Sequence, residues 1–150
     1  MSSHDWSLLA RVAVGFGLAF VIGFERELRG SPAGDRTFAL VGVAATALTA
    51  AVGRSSPQAI AGVLTGIGFV GAAVLFHGDN TLLRGLTTAA AIFATAVIGV
   101  AVGSGHYILG IVTAVGVLFI LELRNIPIVS GLDARRYEDR FRDDHDPPKT

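Results

Sequence analysis

Cysteine is absent from this 150-residue chain, which excludes disulfides, thiolate-held zinc or iron–sulfur centres and a thiol nucleophile. Charge is scarce too. Asp, Glu, Lys and Arg make up 16% of the residues, and the 87 residues of 37–123 hold only Arg54, Asp79, Arg84 and Glu122. Twelve basic and twelve acidic residues cancel, so no general electrostatic attraction to nucleic acid is expected. What the chain has in excess is apolar surface: 51% of its residues are hydrophobic, and its mean hydropathy is +0.59. That is too apolar for an ordinary soluble domain of this length, and a lipid bilayer is the expected solvent.

Polar punctuation divides the apolar sequence into five runs near membrane-spanning length, at about 6–24, 37–53, 59–76, 85–103 and 106–123. In hydrocarbon a backbone must satisfy its own hydrogen bonds, so these runs read as helices despite their Gly and Thr content. The fold class is therefore an all-α membrane protein, a bundle of five transmembrane helices over residues 1–123 followed by a charged tail at 124–150. The first run carries Asp5, has no basic residue before Arg11 and leads into Glu-Arg-Glu-Leu-Arg-Gly, so it reads as a retained anchor rather than a cleaved signal. Pro57 after Ser55-Ser56 reads as the first helical position of the third run, and Asp35 as a cap for the second. Arg11, near the outer end of the first span, is expected to extend toward headgroups.

Counting basic residues by loop sets the orientation. Five crossings put Arg26, Arg29, Arg36, Arg84, Arg124, Arg135, Arg136, Arg140, Arg142 and Lys149 on one side and only Arg54 on the other. The N-terminus is then outside and the C-terminus cytoplasmic. Within the tail, 132–141 has the composition of a short interfacial helix.

Small residues mark where helices approach closely. Gly, Ala and Thr fill eleven of the 17 positions of 37–53 and twelve of the 19 of 85–103, but four of the 15 of 107–121. The second, third and fourth helices are thus expected to form the interior. The fifth, and the face of the first that carries Phe16, Phe20 and Phe24, should meet lipid. Gly62 and Gly66, with Gly99 and Gly103, have the Gly-x-x-x-Gly spacing of helix contacts, within one chain or at the seam of a homo-oligomer. Gly66, Gly68 and Gly71 spell the Gly-x-Gly-x-x-Gly of dinucleotide sites, but they lie inside an apolar run rather than after a strand, so they too are read as packing glycines.

No catalytic set is apparent. The histidines at 4, 77, 106 and 145 form no i, i+4 pair, Arg84-Gly85-Leu86-Thr87-Thr88 lacks a Walker lysine, and nothing calls for an enzyme or a cofactor. The informative constellation is the predicted cytoplasmic rim: Glu25, Arg26, Glu27, Arg29, Asp35 and Arg36 between the first two helices, Asp79 and Arg84 between the third and fourth, and Glu122 and Arg124 after the fifth. Glu25 with Arg36 and Glu122 with Arg84 are candidate ion pairs. A charged collar that fixes helix ends is one reading. The other is a cation mouth in which Glu25, Asp79 and Glu122 supply the oxygen ligands that magnesium prefers.

Three blocks of this sequence resemble the MgtC/SapB family of bacterial inner-membrane proteins. They are Gly23-Phe24-Glu25-Arg26-Glu27 continuing through Arg29-Gly30 to Gly34-Asp35-Arg36-Thr37; Gly66-Ile67-Gly68-Phe69-Val70-Gly71-Ala72; and Arg84-Gly85-Leu86-Thr87-Thr88-Ala89-Ala90. With the hydropathy pattern the likeness covers roughly residues 8–124. It implies a multi-pass protein of the bacterial inner membrane linked to adaptation to low magnesium and acid stress. For some members it also implies inhibition of the membrane ATP synthase, and the virulence members carry a further cytoplasmic domain. The expected function is non-enzymatic modulation of magnesium or proton homeostasis through a membrane protein partner. The alternative is a small cation transporter or channel gated by Glu25, Asp79, Arg84 and Glu122.

Overall fold

A computed structural model describes residues 2–52, 56–76 and 82–123. Arg54, His77, Asp79 and the tail 124–150, with its expected interfacial helix, lie outside the described residues. Those described form five helices: α1 (Ser3–Leu28), α2 (Asp35–Val52), α3 (Pro57–Phe76), α4 (Leu82–Gly103) and α5 (Tyr107–Glu122). The first four are long and apolar enough to cross a membrane. The 16 residues of α5 rise only about 24 Å as a helix, short of a hydrocarbon core about 30 Å thick. The chain divides into two compact units, Met1–Leu118 and Phe119–Thr150. The first holds α1 to α4 and most of α5, and the last turn of α5 belongs to the second.

Local chemistry sets the helix ends. At the start of α1 the Ser2 side chain accepts from the Asp5 N–H, while the Asp5 carboxylate accepts from the Ser2 N–H at 2.7 Å, a reciprocal capping box. Pro57 opens α3, where its missing N–H costs no intrahelical bond. Both α1 and α4 end in Schellman turns: Ser31 N–H donates to Arg26 O and Gly30 N–H to Glu27 O, and His106 N–H donates to Ala101 O and Gly105 N–H to Val102 O. Gly30 and Gly105 carry the required positive φ, 62° and 86°.

The interior is built by α1, α2 and α4, not by α2, α3 and α4 as small-residue content suggests. Gly15, Ala19 and Gly23 form a smooth stripe on α1 at four-residue intervals, and α2 lies directly on it. A Cβ on Gly42 would overlap Ala19, and one on Gly99 would stand 2.8 Å from Ala45 Cβ and 3.0 Å from Gly42 O, so three backbones meet without side chains between them. Ile22, Phe38, Ile92, Ile98 and Val102 fill the rest of this core. On the neighbouring face of α1, about 100° round the helix, Phe16 stacks on Phe20 and Phe20 on Phe24, and all three are exposed, as expected.

By contrast α3 lies chiefly against α4, through a side that includes buried Gly71 and half-buried Val63, Leu64 and Ile67. Among the described residues, no atom lies within 4 Å of a Cβ built on Gly62, Gly66 or Gly68. Of the packing glycines expected on this helix, Gly71 alone meets a neighbour among the described residues, Ala89 Cβ at 3.5 Å from a built Cβ. A small-residue run shows that a close approach is permitted; it does not say that the partner lies in the same chain. As expected, α5 buries little beyond Gly110 and Ala114, and its Ile108, Val112 and Ile120 are exposed.

Candidate functional site

The α1–α2 turn gathers most of the rim residues that the structure describes. Glu25 lies in the last two turns of α1, and Arg26 folds back over it with Nε 2.5 Å from one carboxylate oxygen and a terminal nitrogen 2.6 Å from the other. Arg29, one turn on, adds a third contact from Nε at 3.4 Å. Arg26 is 8% exposed, so this bidentate pair is almost wholly removed from water. The expected Glu25–Arg36 pair does not form. Arg26 and the C-cap residue Arg29 reach the carboxylate from the end of α1 without bridging the turn, while Arg36 is exposed and its backbone N–H donates to the Asp35 carboxylate at 2.6 Å.

Two glycines close this turn. A Cβ on Gly23 would stand 2.7 Å from both Asp35 Cα and Phe38 Cβ, so the start of α2 can rest on α1 only because residue 23 lacks a side chain. Gly34 lies under the Glu27 carboxylate, which occupies the place a Cβ would take. Thr37 follows on α2, half-buried.

The other motif block begins α4. Gly85 packs on the end of α3, where a Cβ would be 3.3 Å from Val74 O; Thr88 is buried and Thr87 exposed. The side chain of Arg84 and all of Asp79 lie outside the described residues, and Glu122 belongs to the second unit. The Glu122–Arg84 pair and the three-carboxylate cation mouth therefore fall outside what is described. Among the described residues no group of three or more His, Asp or Glu could hold a metal ion. Glu25, the one mouth carboxylate in the first unit, already faces two guanidinium groups.

A second polar cluster, which sequence reasoning missed, lies at the opposite end of these helices. Arg11 does not extend away from the bundle: its Nη1 donates to the carbonyl oxygen of Gly103 at 2.8 Å. Thr46 and Thr49 on α2 are fully buried; so, two turns before the end of α4, is Thr95, which bonds back to Ala91 O at 2.9 Å. The usable sequence signal was spacing, since Arg11 stands one turn before Gly15 on the face that packs.

A family model described as the MgtC family matches residues 12–126. A protein of Escherichia coli K12 named as a putative magnesium transporter, YhiD, is 38% identical over 130 residues, covering 77% of this chain and 57% of that one. Protein MgtC of Brucella abortus is 38% identical over 143 residues, covering 85% and 57%, and protein SapB of Bacillus subtilis 30% over 116 residues, covering 69% and 50%. The chain thus spans about half to three-fifths of the length of these relatives. No solved structure matches it.

Proposed function

The chain belongs to the MgtC family, and on that premise we propose that it is a non-enzymatic, multi-pass protein of the bacterial inner membrane that modulates magnesium or proton homeostasis by engaging a membrane protein partner. Five crossings, with the N-terminus outside and the tail cytoplasmic, are the proposed topology. The observation that carries the reading is the state of Glu25: its carboxylate is held by Arg26 and Arg29, which favours a structural collar over a free cation ligand at that end. The exposed Gly62–Gly66 stripe of α3, flanked by exposed Phe69, gives a partner helix, or a second copy of the chain, a place to approach closely.

The natural absence of cysteine makes single-cysteine reporters straightforward. Position 29 changed to Cys should be silent to an impermeant maleimide on intact cells and reactive after permeabilisation; labelling from outside reverses the topology. Crosslinking from Gly62 or Gly66 changed to Cys in native membranes should trap a partner, with the ATP synthase suggested by the family resemblance as the first to examine.

The second reading, a small cation carrier, is favoured by the name of the Escherichia coli relative. Reconstituted liposomes that pass magnesium or protons, with flux lowered in the Glu25→Gln/Arg26→Met double variant that keeps its stability, would establish it in place of the partner model; tight liposomes reject it.

A further inference from the structure

On α1 no residue of 12–24 has a polar side chain, and the charges that bound this stretch, Arg11 and Glu25, stand roughly 21 Å apart along the helix axis. An arginine near a helix end ordinarily extends its stem to reach the headgroups. Arg11 instead turns onto the α4–α5 turn: its Nη1 donates to Gly103 O at 2.8 Å, and a Cβ on Gly105 would stand 3.6 Å from its Nη2. Its buried Nε has no hydrogen-bond partner among the described residues. The turn itself leaves the helical path here, with His106 exposed. Irregular backbone facing lipid is not tolerated in hydrocarbon, so the polar boundary comes in to this level. At the other end of α1 the exposed Glu27 lays its carboxylate against Gly34, and the α1–α2 turn passes through exposed Gly30 and Pro32. From Arg11 to Glu27 the rise is about 24 Å. The uncharged residues 37–52 of α2, between exposed Arg36 and the helix end, also rise about 24 Å, as do the 16 residues of α5.

From these lengths we propose that the protein's lipid partner is a thinned annulus: the acyl chains facing α1, α2 and α5 present roughly 21–24 Å of hydrocarbon in place of the usual core of about 30 Å. Phe16 and Phe20 of α1, Leu40 and Leu48 of α2, and Ile108 and Val112 of α5 are the exposed side chains that meet it. A span shorter than the bilayer is accommodated by extending polar side chains, by oligomerising or by thinning the lipid. The bond to Gly103 O withdraws Arg11 from the first route, and the backbone of the α4–α5 turn has no stem to extend. The 19-residue apolar spans of α3 and α4, about 28 Å long, fit the same slab by tilting. The inference requires only that the chain spans a membrane; it holds for either orientation and for either the partner or the carrier reading.

The test reconstitutes the full chain in vesicles of monounsaturated phosphatidylcholines whose acyl chains run from about 14 to about 22 carbons. The thermal unfolding midpoint, followed by helical circular dichroism, should be highest in the shortest of these lipids and fall as the chains lengthen. A maximum at about 18 carbons or beyond, where an ordinary span is matched, overturns the proposal. So does an equal midpoint in every lipid, the result if a partner helix or a second copy covers the short helices in place of lipid. Depth is read separately with a fluorophore on Ser104→Cys, quenched by lipids that carry bromine at successive acyl positions. Quenching by none of these in the short-chain and the long-chain vesicles alike supports thinning around the α4–α5 turn. Quenching from the acyl region in the long-chain vesicles shows that the turn sinks into unthinned lipid, and overturns it.

Discussion

Arg11, in the third turn of α1, caps α4 by donating to the carbonyl oxygen of Gly103, the last residue of that helix, at 2.8 Å. A helix end in an apolar surround leaves carbonyls without partners, and a guanidinium answers both the missing donor and the negative end of the helix dipole. The contact joins residues 92 apart and ties α1 to the turn that leads into α5.

Replacing Arg11 by Gln should therefore lower stability by roughly 2 kcal/mol, within the range for a charged donor at a helix C-terminus. Arg11→Lys should recover part of the loss, because an ammonium keeps the charge but not the planar fork. Equilibrium unfolding in mixed micelles measures both. Indistinguishable curves for Arg11→Gln and the native chain would reduce the contact to an incidental one.

Much of this architecture is legible in the sequence, because hydrocarbon leaves a backbone few alternatives. The apolar runs, Pro57, and the glycines that follow α1 and α4 mark the helix ends closely. Which helices touch is less legible. Gly15, Ala19 and Gly23 are too sparse to stand out from the phenylalanines beside them, yet they make α1 central. Gly62, Gly66 and Gly68 stand out, yet a Cβ on any of them would meet nothing within 4 Å among the described residues. Pairing of charges is less legible again: Glu25 has arginines at 26, 29 and 36 to choose from, and only the path of the turn shows that the nearer two reach it.

The two groups of glycines give a contrast in stability. At Gly99 an added methyl would press on Ala45 Cβ and Gly42 O, atoms of a packed helix that cannot swing aside, so Gly99→Ala should cost about 1–3 kcal/mol. Gly66→Ala faces open space, and the better helix propensity of alanine should leave it neutral or slightly stabilising. Thermal unfolding of the two variants side by side checks the pattern. Equal losses would mean that α3 packs differently from the arrangement described.

The glycines of the α1–α2 turn should separate in the same way. Gly23→Ala meets Asp35 Cα and Phe38 Cβ, so it should push the two helices apart and cost more than about 1 kcal/mol. Gly34→Ala meets only the far end of the Glu27 side chain, which can rotate away, and should cost well under 1 kcal/mol. Pairing Gly34→Ala with Glu27→Ala should then remove even that loss, a coupling that a double-mutant cycle reads directly.

Glu25 neutralises the buried guanidinium at the end of α1. Changing it to Gln leaves the Arg26 guanidinium, 8% exposed, without its bidentate partner. Removing one member of a buried pair typically costs about 3–5 kcal/mol, because the remaining charge stays desolvated. The exposed arm of Arg29 cannot offset this, since it carries the same sign. Adding Arg26→Met to Glu25→Gln should recover most of the loss by removing the stranded charge and keeping the bulk. A collar that serves only to hold the end of α1 predicts this recovery in both stability and cellular function. If the double variant regains its melting temperature but not its activity, the charges at this turn contact something outside the chain.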